Sequence, residues 1–244
     1  MTDPRANGGQ PSSRNLTYGM LDSLGRAIVT GRFKNRPFPT EAELAKSHGV
    51  SRSVTREAMK MLAAKGLVSA RPRQGTAVRP STSWNLFDPD VLRWLLERQF
   101  SVDLLLHFTQ LRLAIEPEAA ALAARHAEAA DRELIRLGLE RMEAAEQGRD
   151  DTLDADIAFH VAVLNASKNP FYAQFRDVVA TALAKSIRFT NRIRGHSASI
   201  PEHAAVLDAI LAKDVDGARG AMRILIANAL ALIERAEPDG MGQL

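Results

Sequence analysis

The 244-residue chain contains no cysteine, which excludes disulfide bridges, thiol catalysis and thiolate metal sites. Aromatic residues are scarce at 5%, and no apolar run approaches the roughly 20 residues that a membrane-spanning helix needs. Residues 1–13 lack the apolar core of a secretory signal and are rich in Gly, Pro, Ser and Asn, which is typical of a disordered tail. We therefore expect a cytoplasmic protein with no membrane partner.

The net charge of +3 conceals two parts of opposite sign. Residues 1–80 contain 14 Lys or Arg and 5 Asp or Glu, whereas residues 81–244 contain 18 and 24. A basic N-terminal part joined to an acidic body indicates a polyanionic partner for the first part alone. A basic surface that only contacts solvent would give the same counts. A sequence motif is therefore needed to distinguish it from a surface that binds a polyanion.

Two short helices joined at a glycine are predicted within residues 14–80, after a first helix at 17–30. Thr40 and Glu43 form a capping box for the first of the pair, and Ser51 caps the second. The apolar face of the second helix is predicted to be buried: Val54, Ala58, Met61 and Leu62. The opposite face is polar: Arg52, Ser53, Thr55, Arg56 and Lys60. This pattern is typical of a helix-turn-helix, and its arginines suit contacts with guanine and phosphate.

Two β-prone runs follow at 67–70 and 76–78, and the turn between them contains two arginines. They predict a hairpin wing with a basic tip that lies on the DNA backbone or in the minor groove. For the helix pair alone, a solvated basic face is the alternative; the wing favours DNA binding.

The remainder of the chain is predicted to be helical, because no alternating strand pattern occurs after residue 80. Residues 81–99 are interpreted as a linker with a short helix that begins at Asp88-Pro89, and residues 237–244 as a tail. Helices are predicted at 102–124, 131–146, 152–165, 170–193, 201–213 and 215–236. The predicted fold class is mostly α, with an N-terminal winged helix-turn-helix and a C-terminal all-α bundle over 100–236.

A few polar residues are unusual for the apolar helices of this bundle. Asp156 and His160 are four residues apart on one helix face, and His203 lies near the start of another helix. A carboxylate with two imidazoles is a ligand set for a divalent transition metal. An ion pair or a core histidine also explains the i, i+4 spacing. Arg112 is either a carboxylate clamp or the partner of Glu116 in an internal salt bridge.

The N-terminal motifs resemble a known family. Four segments carry the resemblance: FPTEAELA from Phe38, GVSRSVTREAM from Gly49, KGLV from Lys65 and RQGTAV from Arg73. Together they resemble the winged helix-turn-helix of the GntR family of bacterial transcription regulators. The resemblance implies double-stranded operator DNA as a partner, bound by a homodimer that reads two half-sites.

The same resemblance implies which residues contact DNA. The base-contacting arginines of the family match Arg52 and Arg56, and its wing-tip residues match Gln74 and Gly75. With the polar first turn of the recognition helix, the expected contact set is Ser51, Arg52, Ser53, Thr55, Arg56, Gln74 and Gly75. Ala42 stands where many members have an arginine that helps to read DNA, so the operator is expected to differ from the commonest family pattern.

The bundle resembles the effector-binding (FCD) domain of the FadR subfamily of that family. The segments are RLAIEPEAAALAA from Arg112, DIAFH from Asp156, Asn169-Pro, and EHAAVLDAI from Glu202. The resemblance implies a metal that is bound by an Asp and three His and that holds a carboxylate effector. Asp156, His160 and His203 match three of these ligands, and Leu225 occupies the fourth position. A three-ligand site is therefore expected, with zinc as the first choice and nickel or manganese as alternatives.

The resemblance also implies the function. We expect a ligand-responsive repressor of a sugar-acid or other carboxylate catabolic operon, released from its operator by a small hydroxy-carboxylate. Arg112, Arg188 and Asn228 are the expected effector contacts, and His196 is a less favoured replacement for the fourth metal ligand. Residues 84–97 resemble the linker of the galactonate-operon repressors within the family, and their aromatics are expected to hold the two domains together.

The sequence leaves two alternative functions open. A metal-dependent enzyme that acts on a small carboxylate would use the same three ligands, but it needs a general base near the metal. A non-specific architectural DNA-binding protein would have no use for a polar cavity inside a large bundle.

Overall fold

The computed structural model describes residues 13–34, 36–71, 75–98, 102–184 and 199–236. The chain folds into two compact units, Met1–Arg98 and Gln99–Leu244. Within the described ranges, helices dominate and the two strands form one antiparallel hairpin. None of the helices in those ranges is long and apolar enough to cross a membrane.

The first unit contains four helices and the hairpin among its described residues. In chain order these are α1 (Ser13–Val29), α2 (Glu41–His48), α3 (Arg52–Ala64), β1 (Val68–Arg71), β2 (Gly75–Val78), a 3-10 turn (Ser81–Ser83) and α4 (Pro89–Arg98). The predicted capping box is present: the N–H of Glu43 donates to Thr40 Oγ1 at 3.3 Å, and the N–H of Thr40 donates to the Glu43 carboxylate at 2.8 Å. The hydroxyl of Ser51 accepts from the N–H of Val54 at 3.3 Å and so caps α3.

Helix α4 belongs to the core of the first unit. Asp88 caps it by accepting from the N–H groups of Asp90 and Val91. Val91 and Trp94 are buried with the apolar face of α1 and the inner face of α3, and the Trp94 indole N–H donates to Asp22 of α1 at 2.8 Å. The short helix predicted within 81–99 is therefore present, and its apolar face belongs to the core of the first unit. Trp94, expected to hold the domains together, is buried in that core at 1% exposure.

The buried face of α3 differs from the prediction at three positions. Thr55, predicted to lie on the polar DNA-contacting face, is fully buried, and its hydroxyl donates to the Ser51 carbonyl at 3.1 Å. Met59 is buried and Met61 is only half-buried. The stripe of buried residues in α3 is thus 54, 55, 58, 59 and 62, because α3 packs against both α1 and α2. The prediction that Thr55 lies on the exposed face is wrong.

The second unit is helical in all its described parts except the connections. Its elements are α5 (Val102–His126), α6 (Ala129–Glu146), α7 (Thr152–Ala166), α8 (Pro170–Gln174), a helical segment at 176–184 (α9), α10 (Ile200–Leu211) and α11 (Val215–Ala236). Helix α5 packs on α11, α6 packs on α7, and α10 contacts α5, α6 and α11. The single helix predicted over 170–193 is interrupted by a turn at Phe175, and its end lies outside the described residues.

Glycine permits a close helix contact in each unit. A Cβ at Gly25 of α1 would lie 2.4 Å from the ring of Trp94, and a Cβ at Gly138 of α6 would lie 2.9 Å from the Cα of Phe159 in α7. Real Cβ atoms do not approach other atoms this closely, so both contacts depend on the missing side chain. Gly138 thereby lets α6 approach α7, the helix that contains Asp156 and His160.

We expect Gly25→Ala to lower the free energy of unfolding by about 1–3 kcal/mol, because overpacking forces Trp94 or the helix to move. Gly19 is the matched control: it lies in the same helix, and no atom lies within 4 Å of a Cβ placed there. Gly19→Ala should therefore raise stability by up to about 1 kcal/mol through helix propensity. Denaturant unfolding of both variants measures the difference, and equal stability of the two would contradict the packing argument.

Candidate DNA-binding surface and metal centre

The N-terminal turn of α3 presents a basic exposed surface. Arg52 and Ser53 are exposed, and the Arg56 side chain is 67% exposed with a long 3.8 Å ion pair to Glu41. The first turn of α3 contains no acidic residue. The positive end of the helix dipole and the two arginines therefore act together on an approaching anion. Exposed ion pairs of this kind are weak, so Arg56 can exchange Glu41 for a phosphate or base at little cost.

The wing forms as predicted in the described residues. Val68 pairs with Val78 and Arg71 with Gly75, so the two strands are in continuous antiparallel register. Gly75 begins β2 with a left-handed φ of 80° and is exposed. The predicted contact residue Gln74 lies outside the described residues.

In the second unit, the three predicted metal ligands lie together. Asp156 and His160 are one turn apart on α7, and His203 comes from α10. His160 Nε2 lies 3.3 Å and His203 Nε2 lies 4.0 Å from Asp156 Oδ1. All three potential ligand atoms lie within 4.8 Å of one another. Both imidazoles are 2% exposed, and the ring of Phe159 lies edge-on to each of them.

The unsatisfied atoms of this cluster fit a bound cation. His203 Nδ1 lies 2.8 Å from the carbonyl oxygen of Ser199, which can only accept, so Nδ1 carries the proton and Nε2 keeps a lone pair. Among the described residues, the buried side-chain atoms without a hydrogen-bond partner are this Nε2 and Oδ1 of Asp156. Buried polar atoms rarely lack partners. A divalent metal bound by both atoms would satisfy them, so the donor set fits the expected site.

A second layer of polar residues supports His160 from α5. Glu116 Oε2 lies 2.5 Å from His160 Nδ1, and Arg112 Nε donates to Glu116 Oε1 at 2.5 Å. Arg112 Nη2 also lies 3.2 Å from His160 Nε2. The salt bridge between Arg112 and Glu116 was one of the two predicted alternatives. The contact between Glu116 and His160 was missed, because 44 residues separate them in the chain.

Electrostatics favour charged carboxylates and an uncharged His203 in this cluster. Burial alone would raise the pKa of Glu116, but Arg112 and His160 outweigh burial and lower this pKa to about 2. Burial alone would lower the pKa of His160, but the carboxylates of Glu116 and Asp156 outweigh burial and raise it. Burial lowers the pKa of His203, and Asp156 offsets this only in part. An uncharged imidazole at His203 is the form that a metal requires.

Comparison with known proteins identifies the family. The model of the gntR family of bacterial regulatory proteins matches residues 20–78, and the FCD domain model matches residues 107–228. The galactonate operon transcriptional repressor of Escherichia coli K12 is 34% identical over 88% of this chain and 95% of its own length. The chain belongs to the gntR family of bacterial transcription regulators.

A second relative agrees with this membership, and a solved structure agrees with the fold. A putative L-lactate dehydrogenase operon regulatory protein of Escherichia coli K12 is 32% identical over 82% of this chain and 79% of its own length. Lar of Listeria monocytogenes has a solved structure that is similar in fold, with a TM-score of 0.64 and 17% identity over 94% of this chain and 99% of its own. This gntR-family chain is therefore a ligand-responsive, DNA-binding transcription regulator with a winged helix-turn-helix and an FCD domain.

Four further positions of this regulator bear on the predicted effector and metal contacts: 188, 196, 225 and 228. Leu225 is buried at 6% exposure in the apolar core of the second unit, so a hydrocarbon side chain fills the position at which the resemblance implies a fourth ligand. Asn228 is half-buried one turn further along α11, and its contact with an effector stays a prediction. Arg188 and His196 lie outside the described residues.

Proposed function

We propose that this regulator is a homodimeric repressor whose affinity for its operator falls when a small hydroxy-carboxylate binds at a metal in the C-terminal unit. Asp156, His160 and His203 would hold the metal. The observation that carries this proposal is the pair of buried, unpartnered atoms, Asp156 Oδ1 and His203 Nε2, which converge on one point. The regulator would act on DNA in the bacterial cytoplasm.

The DNA-binding part of the proposal rests on the exposed turn of α3. Arg52 and Arg56 would contact operator bases or phosphates, and Ser51, Ser53, Gln74 and Gly75 are further proposed contacts. One recognition helix reads only a few base pairs, and a two-fold dimer doubles this number on a palindromic site. This is the physical reason for proposing a homodimer.

The effector part rests on the coordination that the protein leaves open. Three protein ligands leave at least one position at a zinc ion, and the leucine at position 225 adds no fourth ligand. When bound, the metal supplies a Lewis-acidic centre that attracts a carboxylate and an adjacent hydroxyl. Arg112 beside His160 adds positive charge near this position, and Asn228 is a further proposed contact.

The chemical class of the effector follows from the relatives. One relative is named for a galactonate operon and another for an L-lactate dehydrogenase operon, and both names refer to hydroxy acids. We propose repression and not activation because the relative named for the galactonate operon is named as a repressor. An effector changes operator affinity only if it binds one conformation of the regulator better than another.

The first prediction concerns DNA recognition. Arg52→Ala and Arg56→Ala should each cost about 1–3 kcal/mol of specific binding if these arginines read bases. The measurement is anisotropy titration of a duplex selected from a random pool, with a scrambled duplex for comparison. Arg223→Ala is the control, because Arg223 is an exposed arginine on α11. Wild-type affinity in both α3 variants, or a monomer in sedimentation at micromolar concentration, would contradict the proposed mode of binding.

The second prediction concerns the metal. Purified wild-type protein should bind about one zinc per chain, and His160→Ala and His203→Ala should each lose it because one of only three protein ligands is removed. His126→Ala is the control, since His126 is an exposed histidine in the last turn of α5. Elemental analysis after dialysis against zinc measures the content. Equal zinc in all four proteins would remove this site.

The third prediction concerns the effector. In a thermal-shift panel of aldonates, uronates, lactate, amino acids and fatty acyl thioesters, we expect stabilisation by hydroxy-carboxylates only. The same compounds should weaken binding to the selected duplex by roughly 5–150-fold, which is the usual range of allosteric coupling. Treatment with a chelator should abolish both effects. Stabilisation only by thioesters or amino acids would overturn the effector class, and tighter DNA binding would overturn repression by this mechanism.

A further inference from the structure

We propose that Glu116 is a positioning residue of the metal centre: it holds the His160 ring so that Nε2 faces the cation, and Arg112 holds Glu116 in turn. This proposal rests on the metal site proposed above. It assigns to α5 a part in metal binding although α5 provides none of the three ligands.

Three successive side-chain contacts connect Arg112 of α5 with the proposed metal site. Arg112 Nε donates to Glu116 Oε1 at 2.5 Å, and His160 Nδ1 lies 2.5 Å from Glu116 Oε2. A carboxylate can only accept, so Nδ1 of His160 carries the hydrogen. The nitrogen left for coordination is then Nε2, which lies 3.3 Å from Asp156 Oδ1 and 3.2 Å from Arg112 Nη2. A bound cation would take the place of this Arg112 contact, while Arg112 Nε keeps its bond to Glu116.

The two imidazoles of the site are held in the same way but by different acceptors. His203 Nδ1 donates to the Ser199 carbonyl, a neutral group, whereas His160 Nδ1 donates to the charged carboxylate of Glu116. An acceptor at the far nitrogen fixes the ring orientation of a ligand histidine, and a charged acceptor also increases its basicity toward the metal. His160 should consequently be the stronger imidazole donor of the two.

Stability alone does not account for this arrangement. Arg112 is 5% exposed and Glu116 is 1% exposed, so both charges have lost their hydration. A buried ion pair of this kind is often no more stable than well-packed apolar residues of similar volume. The contact with His160 gives the carboxylate a function that an apolar side chain could not supply.

The test compares Glu116→Gln with Glu118→Gln. Glutamine at 116 keeps the length of the side chain and an oxygen acceptor but removes the charge. Glu118 lies on the same helix, is 44% exposed and pairs with Arg219, so its variant is the matched control. Zinc affinity of the full-length protein, stripped with a chelator and titrated in competition with an indicator, should fall about 10–100-fold for Glu116→Gln. Glu118→Gln should stay within about twofold of wild type.

A second readout separates positioning from general stability. In the zinc-loaded protein, the Nδ1 proton of His160 should give a strongly downfield NMR signal that is protected from exchange with water. Glu116→Gln should move this signal upfield and speed its exchange, whereas Glu118→Gln should leave it unchanged. A structural role for the ion pair alone would lower the free energy of unfolding and leave both this signal and zinc affinity as in wild type.

A double variant covers the case in which Glu116→Gln does not fold. Arg112→Met with Glu116→Gln removes the ion pair without leaving an unpaired buried charge. It should fold and show the same loss of zinc affinity. Wild-type zinc affinity in folded Glu116→Gln or in the double variant would overturn the positioning role alone. Failure of the wild-type protein to bind zinc would overturn the proposed metal site and this role together.

Discussion

Burial of charged and polar side chains in an apolar helical core is the constraint on which the second unit depends. Arg112, Glu116, His160 and His203 are almost fully buried among alanine, valine and leucine side chains. Each has lost hydration that only a specific partner can replace. Three of them satisfy one another, and two atoms at the centre of the cluster are left without a partner among the described residues. These two unsatisfied atoms distinguish the cluster from an ordinary core ion pair and are the reason for proposing a metal site.

The dense packing around the cluster comes from small residues. Alanines of α5 and α7 and Gly138 of α6 let the helices approach closely. The ring of Phe159 makes an edge-on contact with both imidazoles. Imidazole rings that contact an aromatic side chain and form a hydrogen bond at one nitrogen have little freedom to rotate. If the proposed metal binds here, such preformed side chains would lose little conformational entropy on binding.

The functional groups of the first unit are exposed and not buried, because they must contact DNA outside the fold. Its core includes residues of α1, α3 and α4, and there Trp94 packs on Gly25 and donates to Asp22. This core fixes α3 by its inner face, and the arginines of the outer face stay exposed with weak partners. Charges that remain hydrated until DNA arrives can release counterions on binding, which is the main source of affinity for a polyanion.

Local sequence determined much of this protein. Four features depend on residues only a few positions apart, and the structure has them as predicted. They are the capping side chains, the wing, the bounds of α11, and the helix face shared by Asp156 and His160. Tertiary structure alone decided the burial of Thr55, the place of α4 in the first core, the approach of His203 and the contact of Glu116 with His160. These features join residues distant in the chain, and their partners are set by which helix faces pack together. Helical periodicity shows that a face is apolar, but it does not specify the helix that covers it.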